Sequence, residues 1–207
     1  MFYQKRTSIM DINDLLYPAD PSLDVTAGDL ILAEPMMEEA YFARSAILLL
    51  DSPDSGGHLG LVMNKKTNLT LKDLMPDLEG AEKIEIYCGG PVEMERMFMI
   101  HKLPHVFSNS FETKQGLFVG ADLDELADYI SNGGEIEGKL RLFLGYSGWS
   151  KGQLEGEINR NSWAVNRERD SKELLNGDGL EYWQREVRML GERYRSWLMV
   201  PPDPSFN

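Results

Sequence analysis

The chain has 207 residues, 42% of them hydrophobic and 27% charged, with a formal net charge of −13. That length suits one well-cored domain, and that composition excludes intrinsic disorder. The acidic balance disfavours direct nucleic-acid binding, because neutralising phosphates takes a basic face. The excess acid lies in residues 1–150, with 12 basic against 24 acidic side chains, while residues 151–207 hold 9 and 10.

The longest purely apolar run, Ala46-Ile47-Leu48-Leu49-Leu50, is too short to span a bilayer, so no membrane span is expected. The opening MFYQKRTSIMDIND meets Asp11 and Asp14 before any long apolar stretch, which is not the pattern of a signal peptide. A single cysteine, Cys88, fits a reducing compartment, and a cytoplasmic location is the expectation.

In chain order, residues 1–27 carry Pro18, Pro21 and several aspartates and read as an N-terminal arm or short helix. Residues 28–207 read as one domain. Gly28 to Ala33 predicts a strand stopped by Glu34-Pro35, and Met36 to Arg44 a compact loop or helical turn. Ser45 to Leu50 and His58 to Asn64 predict a hairpin around the turn residues 51–57. Leu69, Leu71 and Leu74 suggest a short helix with Thr70 near its cap. Strands are expected at 84–88, 97–100 and 116–120, and a helix over 122–130 ends at Asn132-Gly133-Gly134.

Residues 139–144 predict a further strand, and the run GYSGWSKGQLEGEI at 145–158 then reads as a glycine-rich corner leading into a helix over 151–160. Ser162 to Val165 is short and extended. A last helix over 179–198 places Trp183, Val187, Leu190, Tyr194 and Trp197 on one stripe, expected to dock on the sheet. Six or seven short strands without regular βαβ alternation indicate an α+β fold with a mixed or antiparallel β-sheet.

The chemistry of the glycine-rich run is less promising than its composition. A nucleophile elbow needs a small residue two after the serine, and Trp149 stands there after Ser147. All three histidines, His58, His101 and His105, precede that serine. The glycine–lysine order is wrong for a P-loop. His101 and His105 flank Pro104, which spoils a helical ligand pair, and no second cysteine exists for a thiolate site. No metal, no cofactor and no catalytic residue is assigned. Cys88 beside Gly89-Gly90 is either a small buried strand residue or a reactive thiol, the first reading being favoured.

Several segments together resemble the YqgE/AlgH family of bacterial proteins. They are Gly28-Asp29-Leu30-Ile31-Leu32-Ala33-Glu34-Pro35, Phe42-Ala43-Arg44-Ser45, Gly60-Leu61-Val62-Met63-Asn64-Lys65, Gly89-Gly90-Pro91-Val92, GYSGWSKGQLEGEI with Ser162-Trp163, and the closing Asp203-Pro204-Ser205-Phe206-Asn207. The resemblance covers about residues 28–207. It implies a single α+β domain whose mixed sheet bends into a pseudo-barrel with flanking helices. It implies no established reaction. One branch is described as a candidate transcriptional regulator of alginate production, a role that the charge of this chain does not favour.

Two functions follow as expectations. The first is a non-enzymatic binding or regulatory module, in which the motifs build a corner and an adjoining groove receives a protein or small-molecule ligand. Arg44, Asn64, Gly89, Gly90, Pro91, Tyr146, Trp149 and Gln153 are its candidate binding residues. The bland alternative for each is structural, with Trp149 plugging the core and Gln153 capping backbone groups. The second is an uncharacterised hydrolase or thiol-dependent enzyme using Ser147 or Cys88.

Overall fold

The computed structural model describes residues 24–39, 41–50, 56–113, 116–120, 122–167 and 171–201. The first half holds β1 (Leu30–Ala33), β2 (Ala46–Leu50), β3 (His58–Val62), β4 (Lys66–Thr70), α1 (Leu71–Leu74), β5 (Glu85–Cys88) and β6 (Val92–His101). Then come β7 (Phe111–Glu112), β8 (Phe118–Val119), α2 (Leu123–Ser131), β9 (Leu140–Trp149), α3 (Gln153–Asn159) and β10 (Trp163–Asn166). Helix α4 (Ser171–Leu174), α5 (Gly179–Met189) and a 3-10 helix (Glu192–Met199) close the described chain. Most of the expected arm at 1–27, the turn residues 51–55 and the closing residues 202–207 lie outside the described residues.

The fold is α+β, a curled sheet flanked by helices. Its strands run in the order β10-β1-β2-β3-β9-β6-β8-β7, every neighbouring pair antiparallel. Strand β5 lies off this path, pairing with β4 and running parallel to β9. Among the described residues the sheet has ten strands rather than six or seven. Strand β4 escapes sequence reasoning because Lys66-Thr67-Asn68-Leu69-Thr70 is mostly solvent-facing and shows no apolar alternation.

Strands β1 and β2 are buried at every position, so both faces of the sheet need cover there. Leu30, Leu32, Ala46 and Leu48 face one core with Trp183, Val187 and Trp197, supplied by α5 and the 3-10 helix. Ile31, Ala33, Ile47 and Leu49 face another with Trp149, Leu154, Ile158 and Trp163, supplied largely by α3 and its flanks. A third core, under α2, gathers Ile86, Met99, Leu126, Leu140 and Leu142.

The expected stripe from Trp183 to Trp197 does dock on the sheet, but not as one helix. Gly191 has φ 86 and ψ −172, a backbone open to glycine alone, and the chain restarts beyond it as a 3-10 helix. The stripe survives the break. The Trp183 and Trp197 rings stack with centroids 6.4 Å apart, and the Trp183 indole donates to the Ala33 carbonyl at 2.9 Å.

Strand β9 is the spine. One edge pairs with β6. The other is shared, first by β5 (Ile86 opposite Leu142, Cys88 opposite Leu144) and then by β3 (Gly60 opposite Ser147, His58 opposite Trp149). The corner expected at 145–150 is therefore a correction: Gly145 to Trp149 continue the strand, and the helix starts later, at Gln153. What the glycine does instead is change sides. Before it, Leu140 and Leu142 face the core under α2 and Phe143 faces the α5 core; after it, Tyr146 packs on the α5 side and Trp149 on the α3 side. Strict alternation would put Trp149 with Phe143. The left-handed backbone at Gly145, φ 69, reverses the parity, and the bulge lies opposite it in β6, where residues 93–96 face this one glycine between the Leu144–Met97 and Tyr146–Val92 pairs.

Candidate functional site

The bulge is held by a close approach of two backbones. A Cβ on Gly90 would collide with the Tyr146 carbonyl group and the Ser147 nitrogen, and one on Gly89 with the Gly145 carbonyl oxygen. A Cβ on Gly145 would meet the Gly90 and Val92 carbonyls. All three positions need glycine for space, and Gly145 also for its φ. The Gly89 N–H donates to the Leu144 carbonyl at 2.8 Å, while its own carbonyl accepts from the Val62 N–H at 2.9 Å and the Ser147 hydroxyl at 3.2 Å. Ser147 is fully buried. No hydrogen bond joins it to a histidine among the described residues: His58 bonds Glu155, and His101 bonds Gly120 and Leu103.

The second half of the signature is a clamp around Glu157, a residue outside the candidate binding set. The Glu157 carboxylate accepts the indole N–H of Trp149 at 2.9 Å and that of Trp163 at 2.8 Å on one oxygen, and the Gln153 amide at 3.0 Å on the other. Gln153 in turn accepts the Ser150 N–H at 3.0 Å, satisfying a backbone group of the turn before α3. The two indole rings meet edge to face, 5.9 Å apart. The spacing of Gln153 and Glu157, one helical turn apart, was the available signal; Glu155, two residues before Glu157, points elsewhere, to His58 at 2.9 Å.

Asn64 and Arg44 form a separate pair. Asn64 is buried, its amide oxygen accepting the Ala46 N–H at 2.9 Å and its nitrogen donating to the Arg44 and Gly179 carbonyls at 3.0 and 2.9 Å. Those bonds pin Arg44, which sits at φ 49 in the left-handed region. The Arg44 guanidinium reaches the Pro201 carbonyl at 2.8 Å and lies 5.9 Å from the centre of a Trp183 ring. The eight predicted residues thus fall into groups: Arg44 with Asn64, Gly89 and Gly90 with Tyr146, and Trp149 with Gln153. Pro91 follows the glycines at the surface. None of the eight lines either of the two crevices described below.

Three motif segments do meet at one polar cluster. The Tyr41 hydroxyl and the Cys88 thiol share a hydrogen bond of 2.8 Å, and the Lys65 ammonium donates to the Tyr41 carbonyl. Burial pushes the Tyr41 hydroxyl pKa up, an effect that Cys88 reinforces, and pushes the Lys65 pKa down against the pull of Cys88. Cys88 is half-buried, so it is neither the fully buried strand residue expected nor a freely exposed thiol. Tyr41 adjoins a quoted motif and Lys65 ends one, but neither carries a pattern of its own.

Two crevices open elsewhere. The larger, about 700 Å³, has Arg141 on its floor and Lys66 on its wall. Of its three lining cations, Arg141, Lys66 and Lys83, two are engaged: Arg141 donates to the Met63, Leu175 and Gly177 carbonyls, and Lys66 bridges Glu85 and Asp178. The second, about 490 Å³, is an apolar groove between β6 and the first turn of α2. Strand β8 pairs with β6 only at Ile100 and His101, so the cover stops there and Met97, Met99, Val119, Leu126 and Leu142 form a floor. Phe111 and Leu123 line it while 56% and 46% exposed, and Met94, 55% exposed, stands beside the lining in the bulged part of β6. Exposed aromatic and aliphatic side chains around an open groove mark an interaction surface more often than isolated ones do.

Among the described residues no group of three or more His, Cys, Asp or Glu side chains could hold a metal ion, and no helix is long and apolar enough to cross a membrane. The fold and the braced signature define a half-barrel α+β scaffold with an apolar groove at one rim. The chain belongs to the AlgH-like family: the family description DUF179, AlgH-like, matches residues 30–195. It is 40% identical over 181 residues to a UPF0301 protein of Parabacteroides distasonis, covering 87% of this chain and 90% of that one. A UPF0301 protein of Bacteroides thetaiotaomicron is 34% identical over 180 residues, with the same coverage. The solution structure of the AlgH protein from Pseudomonas aeruginosa is similar at TM-score 0.66 and 28% identity, covering 89% of this chain and 97% of that one. A Corynebacterium diphtheriae crystal structure shares the fold at TM-score 0.70 and 21% identity, over 90% and 98% of the two chains.

Proposed function

We propose that this chain is a non-enzymatic binding or regulatory module that receives a protein segment or an apolar small molecule in the groove beside β6. The observation that carries the reading is the division of labour in the site. Trp149, Gln153, Glu157, Asn64 and Ser147 spend their polar groups on the scaffold. The exposed apolar side chains gather instead at the groove that the bulged β6 leaves open. The single cysteine supports a cytoplasmic setting. The test is affinity purification with a Phe111→Ser/Leu123→Ser variant and, as a surface control, Met189→Ser. A species that copurifies in fixed ratio with wild type and with the control, and is lost from the groove variant, supports the reading. Equal recovery with the groove variant contradicts it.

A second reading, thiol chemistry at Cys88, is favoured by the bonded Tyr41 hydroxyl and the adjacent Lys65. The buried Ser147 offers no comparable access. The thiol reading expects alkylation of Cys88 to slow when Lys65 becomes Met, and a thiol-dependent turnover that Cys88→Ser abolishes. Alkylation at the rate of free cysteine in both proteins would remove it.

A further inference from the structure

The groove beside β6 is apolar inside and acidic around its mouth, and both features bear on what it accepts. Its floor is built from Met97, Met99 and Leu126, with Phe111 and Leu123 at the lip. Methionine is unbranched and adapts to different apolar surfaces, which is why it recurs where one groove must fit varied side chains. A volume of about 490 Å³ lies within the range of real ligand sites. The mouth is rimmed by Glu95 and Asp122, the second also capping α2 by accepting the Asp124 N–H at 2.8 Å, and the exposed Asp124 follows lining Leu123. One lining residue is a cation, Arg96, and it is engaged by Glu93 at 3.2 Å. The surface therefore carries net negative charge, within the acidic residues 1–150 of a chain at −13.

We infer that the occupant is a basic amphipathic segment of a partner protein, laying apolar side chains on the methionine floor while its lysines or arginines meet the acidic rim. The inference rests on the binding reading above and adds its chemistry. A short helix supplies the needed pattern, apolar anchors at i, i+3 or i+4 and basic residues on the flanks. Rim charges govern approach and salt sensitivity, while the buried anchors govern residence. An uncharged apolar segment would gain only the floor. An acidic one would be repelled.

The probes are three synthetic helical peptides of about four turns: lysine-flanked with a leucine stripe, glutamate-flanked with the same stripe, and lysine-flanked with glutamine in place of leucine. Each is titrated by fluorescence anisotropy against wild type, Glu95→Lys/Asp124→Lys, Phe111→Ser/Leu123→Ser, and Glu181→Lys/Glu192→Lys as a distant charge control. The expected result is binding of the first peptide alone, with amide shifts at Met97, Phe111 and Leu123. Its affinity falls about tenfold in the rim variant and about tenfold again near 1 M salt, where the screening length is about 3 Å. It stays within about twofold in the distant control. Equal binding of the glutamate peptide at the groove overturns the stated chemistry and leaves the groove a binding site. Equal weakening by the distant control, or binding that survives loss of the leucines, reduces the effect to bulk charge and overturns the inference. Failure of all three peptides also overturns it, and the purification experiment then decides the broader reading separately.

Discussion

The Trp149 indole donates to the Glu157 carboxylate across 2.9 Å, joining the last residue of β9 to the middle of α3. The same oxygen holds Trp163 at the start of β10. One carboxylate therefore ties three elements over the core that covers β1 and β2.

Removing that carboxylate leaves two indole donors without an acceptor. A hydrogen bond to a charged group contributes about 1.5–3 kcal/mol, and unmet donors add a desolvation cost. Glu157→Ala is expected to lose about 3 kcal/mol in urea unfolding, and Glu157→Gln less, since its amide oxygen can still accept.

The glycines divide into two kinds that stability measurements separate. Gly90→Ala forces a carbon into the Tyr146 backbone and is expected to cost more than about 4 kcal/mol or to prevent folding. Gly152 has positive φ, at 77, but nothing lies within 4 Å of a Cβ there. Gly152→Ala should cost only the left-handed backbone penalty, about 1–2 kcal/mol. Equal losses at the two positions would remove the close approach as the reason for Gly90.

The His58–Glu155 pair gives a small acid-side dependence. The hydrogen bond from His58 holds the Glu155 carboxyl below its ordinary range. A depressed folded value means stability that is present above the unfolded pKa, near 4.5, and lost as pH falls through the folded one. With the Glu155 side chain 37% exposed, screening limits the effect to about 0.5 kcal/mol or less. His58→Ala should flatten the unfolding free energy between about pH 5 and about pH 3 by that amount.

His101 acts higher on the scale. It is fully buried, and burial pushes its pKa below 6.5. Its Nε2 bonds the Gly120 carbonyl at 3.1 Å and its Nδ1 accepts the Leu103 N–H at 3.2 Å, so the neutral ring already uses both nitrogens. The unfolded chain takes the proton first, and stability therefore falls as pH drops below about 6.5, by at most about 1.4 kcal/mol per pH unit. His101→Gln should flatten that limb in pH-dependent unfolding.

The elements that repeat a local rule were legible in the sequence. The stripe from Trp183 to Trp197 announced its core through spacing alone, and Asn132-Gly133-Gly134 announced the end of α2. GYSGW did not, because glycines in sequence look alike whether they turn a chain or admit another backbone. The partners that decide the matter, Gly89, Gly90 and Val92, lie more than 50 residues earlier. The Tyr41–Lys65–Cys88 cluster and the groove at Met97, Phe111 and Leu123 were hidden for the same reason: each is assembled from separate segments by the sheet, with no spacing in the chain to betray it.

The central claim is that the signature is a structural brace, with its polar groups coupled to one another. A double-mutant cycle of Trp149→Phe and Glu157→Gln, followed by urea unfolding, tests it most directly. The brace predicts a coupling of about 1 kcal/mol or more between the two changes. Additivity within about 0.3 kcal/mol, with native structure retained in all four proteins, would contradict it.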